Sequence, residues 1–173
     1  ELDLRARTVG FGGAPNILGY MQCDASVMKG DTLEVGAVGA ISGAKHPISV
    51  ARKLMETLPH VILVGEGAMR FASELGLEKD PLLAKESREE YERWLEQNLS
   101  DSDRNNLSQA PLAKYISFDT KPDLSRGTVT FLAKDKNGNL AGGVSTSGWA
   151  YKYPGRLGDS PIIGAGLYVD NRY

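Results

Sequence analysis

The chain has 173 residues and 41% hydrophobic side chains, a size and composition typical of one folded domain. Its 20 Lys and Arg are balanced by 22 Asp and Glu, and no apolar run is long enough to span a membrane, so we expect neither a nucleic-acid nor a membrane partner. One cysteine, Cys23, excludes an internal disulfide framework, and only His46 and His60 offer imidazole, so we expect no metal and no cofactor.

The first quarter of the chain predicts a loop followed by two strands. Residues 8–19 are typical of turn and loop, and residues 22–41 of a two-stranded meander. One strand ends at Val27 and Met28, Lys29–Asp31 form the turn, and Leu33–Ile41 form the second strand. Small residues in that second strand indicate that another element packs closely against it: Gly36, Ala37, Gly39 and Ala40.

The next segment predicts two helices around a short strand. Residues 46–60 favour a helix, with Pro47 in its first turn and apolar residues at helical spacing. Residues 61–64, VILV, predict a buried strand. Gly65–Gly67 then predict a turn, and residues 68–76 a second helix that ends at its glycine.

A third helix and a long polar stretch follow. Asp80-Pro81 predicts the start of a short helical piece, and Ser87–Glu90 has the pattern of a capping box opening a helix through about Leu99. The apolar stripe of that helix is Tyr91, Trp94 and Leu95. Residues 100–126 are polar and lack periodicity, which predicts a long loop in which only residues 115–118, YISF, favour a strand.

Residues 128–148 predict a β-hairpin. Asn137-Gly138 is a strong signal for a two-residue type I′ turn, because both positions of that turn need a positive φ. Counting outward from this turn places Thr128 opposite Ser147, whereas a one-residue bulge places it beside Thr146. In either register, two hydroxyl side chains meet at the open end of the hairpin.

Three glycine-containing segments match ligand-binding motifs only in part. GFGGAP at residues 10–15 and VILVGEGAMR at residues 61–70 lack the full G-x-G-x-x-G spacing of a dinucleotide loop. Asp135-x-Asn137-x-Asn139 begins like a calcium loop but lacks the later glycine and glutamate, which favours a plain turn.

The turn YPGRLGDSP, residues 153–161, places Arg156 three residues before Asp159. A guanidinium holds a carboxylate through two hydrogen bonds and a carboxylate holds an ammonium, so the pair is a possible receptor for the α-carboxylate and α-amine of an amino acid. The alternative is an ion pair between the two residues that fixes the loop, and spacing alone favours this simpler interpretation.

Thr128 also has two interpretations. Threonine is a good strand former, so its position needs no function. If the bond between Gly127 and Thr128 is cut, however, Thr128 gains an α-amine with a pKa of about 7.7–8.0 beside its own hydroxyl. Such an amine is a suitable general base for a threonine nucleophile near neutral pH. The absent side chain of Gly127 and the polar stretch before it are compatible with self-cleavage.

Together these segments resemble the asparaginase/glycosylasparaginase family of N-terminal nucleophile hydrolases. The resemblance covers the chain outside residues 78–125, in the family's order: TVGFGGAPN, CDASVMKGDTLEVGAVGAI, KHPISVARKLMETLPHVILVGEGAMRFA, GTV, STSG and GRLGDSPIIGAGLYVDN. GRLGDSPIIGAG is its most specific part. The VGFGGAPN loop is similar to the glycosylasparaginase branch, whereas Gly127 before Thr128 is similar to plant-type isoaspartyl peptidases.

The resemblance implies an α+β fold, a four-layer αββα sandwich of which this chain would be a portion. The precursor would cleave itself between Gly127 and Thr128. Residues 1–126 would belong to the α subunit, with a flexible polar tail from about residue 100, and residues 127–173 would begin the β subunit within the same domain. We expect an αβ heterodimer after cleavage and a dimer of these.

By the same resemblance, Thr128 would be the nucleophile and Thr146 its catalytic neighbour, while Arg156, Gly158 and Asp159 would bind the substrate. Thr128 would attack the side-chain β-amide of an asparagine derivative, N4-glycosylasparagine or L-asparagine, and water would release aspartate. One alternative is an isoaspartyl dipeptidase with asparaginase side activity. Another is an uncleaved precursor, or an inactive fragment or homologue, that acts only as a binding or assembly unit.

The chain differs from the family pattern in a few places. The family usually has glycine at the position of Thr130. Its first strand and helix would lie before residue 1, and its oxyanion-hole donors, in a T-G-x-G-E stretch, after residue 173.

One cysteine and an N-terminus unlike a signal peptide favour the cytoplasm, whereas a removed signal peptide would fit a lysosomal or periplasmic enzyme.

Overall fold

The computed structural model describes residues 1, 3, 5, 9–77, 83–116 and 127–173, which form a sheet with flanking helices. The strands are β1 (Cys23–Lys29), β2 (Val35–Ile41), β3 (Ile62–Val64), β4 (Val129–Lys134) and β5 (Leu140–Thr146). The α-helices are α1 (Pro47–Thr57), α2 (Gly65–Glu74), α3 (Lys85–Asn98) and α4 (Asp101–Asn105), with short 3₁₀ turns at Gly10–Gly12 and Leu112–Tyr115. None of the helices in these ranges is long and apolar enough to cross a membrane.

The strands form one mixed sheet in the order β3-β2-β1-β5-β4. All neighbouring strands are antiparallel except β2 and β3, which are parallel and are joined through α1. Helices and antiparallel strands in one unit place the fold in the α+β class, as the resemblance implied.

The alternation of side chains along β1 gives the sheet two different faces. Cys23 and Ala25 are buried in an apolar core together with residues of α1 and α2, such as Leu54 and Phe71. Met28 belongs to a second cluster that includes Leu167 and Val169 near the end of the chain. Since successive strand residues point to opposite faces, Asp24 and Ser26 lie on the same face as Met28.

The small residues of β2 allow α1 to approach closely. A Cβ atom placed on Gly36 would lie 2.2 Å from the carbonyl oxygen of Ala51 in α1 and 2.8 Å from the Met55 Cβ. The predicted close packing against this strand is therefore confirmed, and Gly36 is required by contact rather than by a turn.

Several predicted boundaries in this half are wrong for local reasons. The second strand begins at Val35, because Leu33 has a φ of 58° and belongs to the turn. The strand within residues 61–64 is not buried: it lies at the sheet edge, and Val64 is 50% exposed. Helix α2 begins directly at Gly65, so no turn separates it from β3, and it ends before Gly76, whose φ is 67°.

The predicted capping box at Ser87 is also wrong. Helix α3 already begins at Lys85, and Ser87 is buried within its first turn, where its hydroxyl donates to the carbonyl of Gly12 at 3.1 Å. The hydroxyl is used in a tertiary contact and is therefore not a cap. The apolar stripe is confirmed, since Tyr91 and Leu95 are buried and Trp94 packs beside them.

The stretch predicted to be a polar loop contains local structure in its first part. Ser100 caps α4 by accepting the N–H of Asp103 at 3.3 Å, and Tyr115 lies in a 3₁₀ turn rather than in a strand. The helical piece predicted at Asp80-Pro81 and the predicted tail over residues 117–126 lie outside the described residues.

Candidate active site

The hairpin of β4 and β5 has a longer loop than its sequence predicts. Lys134 pairs with Leu140, so residues 135–139 form the connection in place of a two-residue turn. The Asp135 carboxylate accepts the N–H groups of Asn137 and Asn139 at 2.8 Å each, and within this loop only Gly138 has a positive φ, 89°. The type I′ prediction is therefore wrong, because it left out the side chain of Asp135, which forms its hydrogen bonds within the loop.

This loop shifts the register and decides which hydroxyl lies near Thr128. The last pair at the open end is Val129 with Ser145. Continued by one residue, the register brings Thr128 opposite Thr146 rather than Ser147. The meeting of two hydroxyl residues at this end is confirmed, with Thr146 as the partner.

The Thr146 hydroxyl is fixed between two backbone groups. Its Oγ1 donates to the carbonyl oxygen of Gly127 at 2.9 Å and accepts the N–H of Gly148, also at 2.9 Å. Thr146 is only 3% exposed, so water has little access to compete for this hydroxyl. The carbonyl it contacts belongs to the peptide bond that joins Gly127 to Thr128.

Thr130, where the family has glycine, does not obstruct this site. It is exposed on β4 opposite Val144, and it is not one of the residues that line the pocket beside Thr128. The β-carbon at this position is therefore accommodated without crowding of the strand.

Arg156 lies beside an aromatic ring at the mouth of the site. Its guanidinium carbon is 4.6 Å from the centroid of the Trp149 ring, a cation–π distance. Among the described residues, Arg156 and Asp159 form no ion pair with each other, so the simpler interpretation of their spacing does not hold here. Both charged groups line the same pocket.

That pocket brings together every site residue that the sequence singled out. Its volume is about 280 Å³, and its lining is Gly127, Thr128, Thr146, Gly148, Trp149, Arg156, Gly158 and Asp159. Sequence reasoning missed Trp149, although a tryptophan directly after the STSG segment was a visible signal. In the part of the chain that the structure describes, no three His, Cys, Asp or Glu side chains are grouped as metal ligands.

Two buried ionisable side chains lie behind the pocket, and sequence reasoning missed both. Asp24 is fully buried and accepts the N–H groups of Ala40 and Gly158 at 2.8 and 3.0 Å. Lys152 is 3% exposed and donates to the carbonyl of Gln22 at 3.0 Å. Burial lowers the pKa of Lys152 from its ordinary value, and the nearby Asp24 carboxylate opposes that shift.

The glycine-rich loop near residue 10 packs against the end of β5. A Cβ atom placed on Gly13 would lie 2.3 Å from the Ser147 Oγ, so this glycine makes room for the residue next to Thr146. The contact explains the glycine without a bound nucleotide.

Comparison with known proteins places these features in a family. The sequence model of a family described as asparaginase matches residues 3–173. The chain is 42% identical over 171 residues to the N(4)-(β-N-acetylglucosaminyl)-L-asparaginase of Elizabethkingia miricola, an alignment that covers 99% of this chain and 45% of that protein. It is 38% identical over 178 residues to the enzyme of the same name from Rattus norvegicus, covering 95% of this chain and 51% of that protein.

The chain spans about half the length of the curated relatives it matches. The family model, in contrast, extends over nearly every residue of this chain, from the glycine-rich loop through the pocket to the final residues. The chain therefore belongs to the asparaginase/glycosylasparaginase family of N-terminal nucleophile hydrolases.

Proposed function

We propose that the chain is part of an amidohydrolase that cleaves itself between Gly127 and Thr128 and then uses Thr128 as its nucleophile. The substrates are side-chain β-amides of asparagine derivatives, which are converted to aspartate. The observation that carries the proposal is the hydrogen bond from the Thr146 hydroxyl to the Gly127 carbonyl oxygen, in a pocket that also holds Arg156 and Asp159.

The position of this hydrogen bond supports self-cleavage. Thr128 Oγ1 attacks the Gly127 carbonyl carbon, and the Thr146 hydroxyl stabilises the negative charge that develops on the carbonyl oxygen. As the C–N bond breaks, the departing nitrogen receives the proton of the Thr128 hydroxyl, and the Gly127 carbonyl remains as an ester on the threonine oxygen. Water then hydrolyses the ester, so that Gly127 ends in a carboxylate and Thr128 begins with an amine.

The new amine makes the threonine a catalyst. It takes the proton of the Thr128 hydroxyl as the oxygen attacks the β-amide carbon of the substrate, and the leaving amine receives that proton. Water releases aspartate from the resulting ester and restores Thr128. Arg156 binds the α-carboxylate and Asp159 the α-amine, which holds the reacting amide over the hydroxyl.

Among substrates that differ in the leaving group, we favour glycosylated asparagine. The relatives from Elizabethkingia miricola and Rattus norvegicus are named for N(4)-(β-N-acetylglucosaminyl)-L-asparagine. Gly127 before Thr128 favours a second candidate, hydrolysis of β-aspartyl dipeptides, which present the same aspartyl half. Relative kcat/KM for the two substrates, measured on one preparation, distinguishes these activities.

We propose the following assembly. Residues 1–126 belong to an α subunit and residues 127–173 begin a β subunit, in a four-layer αββα sandwich that forms an αβ heterodimer and a dimer of these. Phe131 and Leu132, neighbours on β4 that point to opposite faces, are 73% and 72% exposed. Two exposed apolar faces at this sheet edge support a further layer on the hairpin.

Substitution of Thr128 tests the nucleophile. Thr128→Ala removes the attacking oxygen, so we expect neither self-cleavage nor β-amide hydrolysis, whereas Thr128→Ser keeps an oxygen and retains slower forms of both. The readouts are intact mass after incubation and aspartate release. If the alanine variant still splits after Gly127, the proposed role of Thr128 is wrong.

Substitution of Arg156 tests substrate binding separately. Arg156→Ala removes the only guanidinium among the pocket-lining residues, and we expect a steep rise of KM for L-asparagine, by about tenfold or more. An unchanged KM would exclude Arg156 from the binding of the α-carboxylate.

A further inference from the structure

Strand β1 is attached to the substrate-binding turn at two points. The Asp24 Oδ2 accepts the N–H of Gly158 at 3.0 Å, and the Ser26 hydroxyl donates to the carbonyl of Ser160 at 2.6 Å. Asp24 and Ser26 share one face of β1, and their partners are the residues immediately before and after Asp159. The strand therefore holds the backbone on both sides of Asp159.

The second carboxylate oxygen of Asp24 is used by a bulge in β2. Cys23 pairs with Ile41 and Ala25 with Val38, so β2 has one extra residue opposite Asp24. Ala40 has a φ of 47°, a conformation rare for residues other than glycine, and its N–H donates to the Asp24 Oδ1 at 2.8 Å. The bulge thus points an N–H at the side-chain carboxylate of Asp24 rather than at a backbone carbonyl of β1.

A carboxylate buried this completely needs compensation. Asp24 is 0% exposed, and loss of water around an ionised carboxylate is costly unless hydrogen bonds and an opposite charge replace it. The two N–H groups supply the hydrogen bonds, and the buried Lys152 ammonium supplies an attractive charge. The Asp24 carboxyl is therefore held in a built site inside the protein, and not in a surface ion pair.

Asp24 also lies beside the reacting end of the hairpin. It is paired in the sheet with Thr146, the residue whose hydroxyl contacts the Gly127 carbonyl. Asp24 therefore lies next to both parts of the site: it pairs with Thr146 in the sheet and binds the backbone beside Asp159.

We propose that Asp24, together with Ser26, is a positioning residue that fixes Gly158 and Ser160, and so sets Arg156 and Asp159 at the correct distance from Thr128. The inference rests on the proposed function. Neither residue touches the substrate. Each acts on substrate binding through the backbone of the turn.

Asparagine is the informative replacement for Asp24. Its amide oxygen accepts one N–H, but its NH₂ group faces the other N–H and repels it, because both are donors. One of the two donors, on Ala40 or Gly158, is then left unpaired in a buried place. Ser26→Ala is a milder change that removes the hydrogen bond to the Ser160 carbonyl and keeps the carboxyl group of Asp24.

The experiment compares substrate binding with self-cleavage in the intact protein. For Asp24→Asn we expect KM for L-asparagine to rise about tenfold or more with a smaller change in kcat, and the affinity for L-aspartate, measured by calorimetry, to fall by a similar factor. Ser26→Ala should shift both in the same direction by less. Self-cleavage should continue at nearly the parent rate, because Thr128, Gly127 and Thr146 form no hydrogen bond with either side chain.

Asp170→Asn is the matched control. Asp170 is also buried, 5% exposed, but its carboxylate binds Arg172 and Tyr168, and it does not line the pocket. We expect this variant to keep the parent KM and aspartate affinity. A rise of KM that is equal in the Asp24 and Asp170 variants, or the absence of any rise in the Asp24 and Ser26 variants, would overturn the positioning role.

The Arg156→Ala variant separates the two levels of the proposal. If it raises KM while Asp24→Asn and Ser26→Ala do not, only the positioning inference is wrong. If Arg156→Ala leaves KM unchanged, or if the parent protein binds no L-aspartate, the proposed function itself is wrong and the inference falls with it. Should Asp24→Asn fail to fold, Ser26→Ala carries the same comparison.

Discussion

At the scale of single residues, the ring of Trp149 lies against the guanidinium of Arg156. The indole is 40% exposed and lies under the guanidinium, which leaves the edge of the guanidinium for a carboxylate. A guanidinium held in one place loses less conformational entropy when a substrate binds. Under the proposed function, we therefore expect the tryptophan to contribute to substrate affinity without a bond to the substrate.

We expect Trp149→Ala to raise KM for L-asparagine about two- to fivefold, since a partly exposed cation–π contact is worth about 0.5–1 kcal/mol. Self-cleavage should be unaffected. Tyr153→Ala is the control, because Tyr153 is also an exposed aromatic residue of this segment, 50% exposed, but does not line the pocket. An equal change of KM in both variants would contradict the role of the ring.

At the scale of elements, the contact between β2 and α1 depends on the missing side chain of Gly36. An added Cβ would meet backbone atoms of α1, which move only with the whole helix. Gly67 in α2 is a matched control, since an added Cβ there has no neighbour within 4 Å and the residue lies in a helix.

We expect Gly36→Ala to lower the free energy of unfolding by about 1–3 kcal/mol and Gly67→Ala to raise it by up to about 1 kcal/mol, because alanine is the better helix former. Urea denaturation of both variants measures the difference. A neutral Gly36→Ala would show that α1 shifts freely over the sheet.

Sequence patterns predicted those elements whose signals are local. Helix α1 begins at Pro47 as its sequence indicates, and the apolar stripe of α3 is the buried one. Predictions were wrong where a side chain forms a hydrogen bond that the local pattern does not show, either with a distant residue or within the loop itself. Ser87 bonds to Gly12 in place of capping its helix, and Asp135 rebuilds the hairpin loop and moves the register by one residue.

The same distinction applies to the candidate site. The six residues named from the resemblance lie around one pocket. Gly127, Thr128 and Thr146 lie at the open end of the hairpin, and Arg156, Gly158 and Asp159 lie in the turn over residues 153–161. Asp24 was not found, since an acidic residue in an apolar strand has no local signature. The role of Asp24 depends on its hydrogen bond with Gly158, which lies 134 positions away in the sequence.

At the scale of the whole molecule, the buried weak acids Cys23 and Tyr91 make the free energy of unfolding depend on pH in the alkaline range. Burial raises the pKa of Cys23 to about 12 and the pKa of Tyr91 to about 12. Tyr91 also donates to the carbonyl of Ile17 at 3.0 Å, so its neutral form is bound in the folded state. In the unfolded chain both groups ionise at their ordinary, lower pKa.

A group whose pKa is higher in the folded state than in the unfolded state stabilises the fold. This stabilisation is complete at pH values below the unfolded-state pKa and is lost as the pH rises to the folded-state pKa. We therefore expect the free energy of unfolding to fall between about pH 9 and pH 12, by about 1.4 kcal/mol per pH unit for each ionising group. Burial lowers the pKa of Lys152, which acts in the opposite direction up to its unfolded pKa.

Urea unfolding at several pH values measures this slope. Cys23→Ala and Tyr91→Phe should each make it less steep, whereas Tyr173→Phe, at a residue that is 92% exposed, should leave it as it is. An unchanged slope in the first two variants would contradict the assignment to Cys23 and Tyr91.

The central claim concerns one peptide bond in this molecule, between Gly127 and Thr128. Intact mass and N-terminal sequencing of the purified protein during incubation follow that bond directly, with Thr146→Ala as a comparison that removes the hydrogen bond to the Gly127 carbonyl. We expect a new chain that begins at Thr128, formed about a hundredfold more slowly in the Thr146 variant. A single uncut species that persists, or a cut at another bond, would contradict the claim.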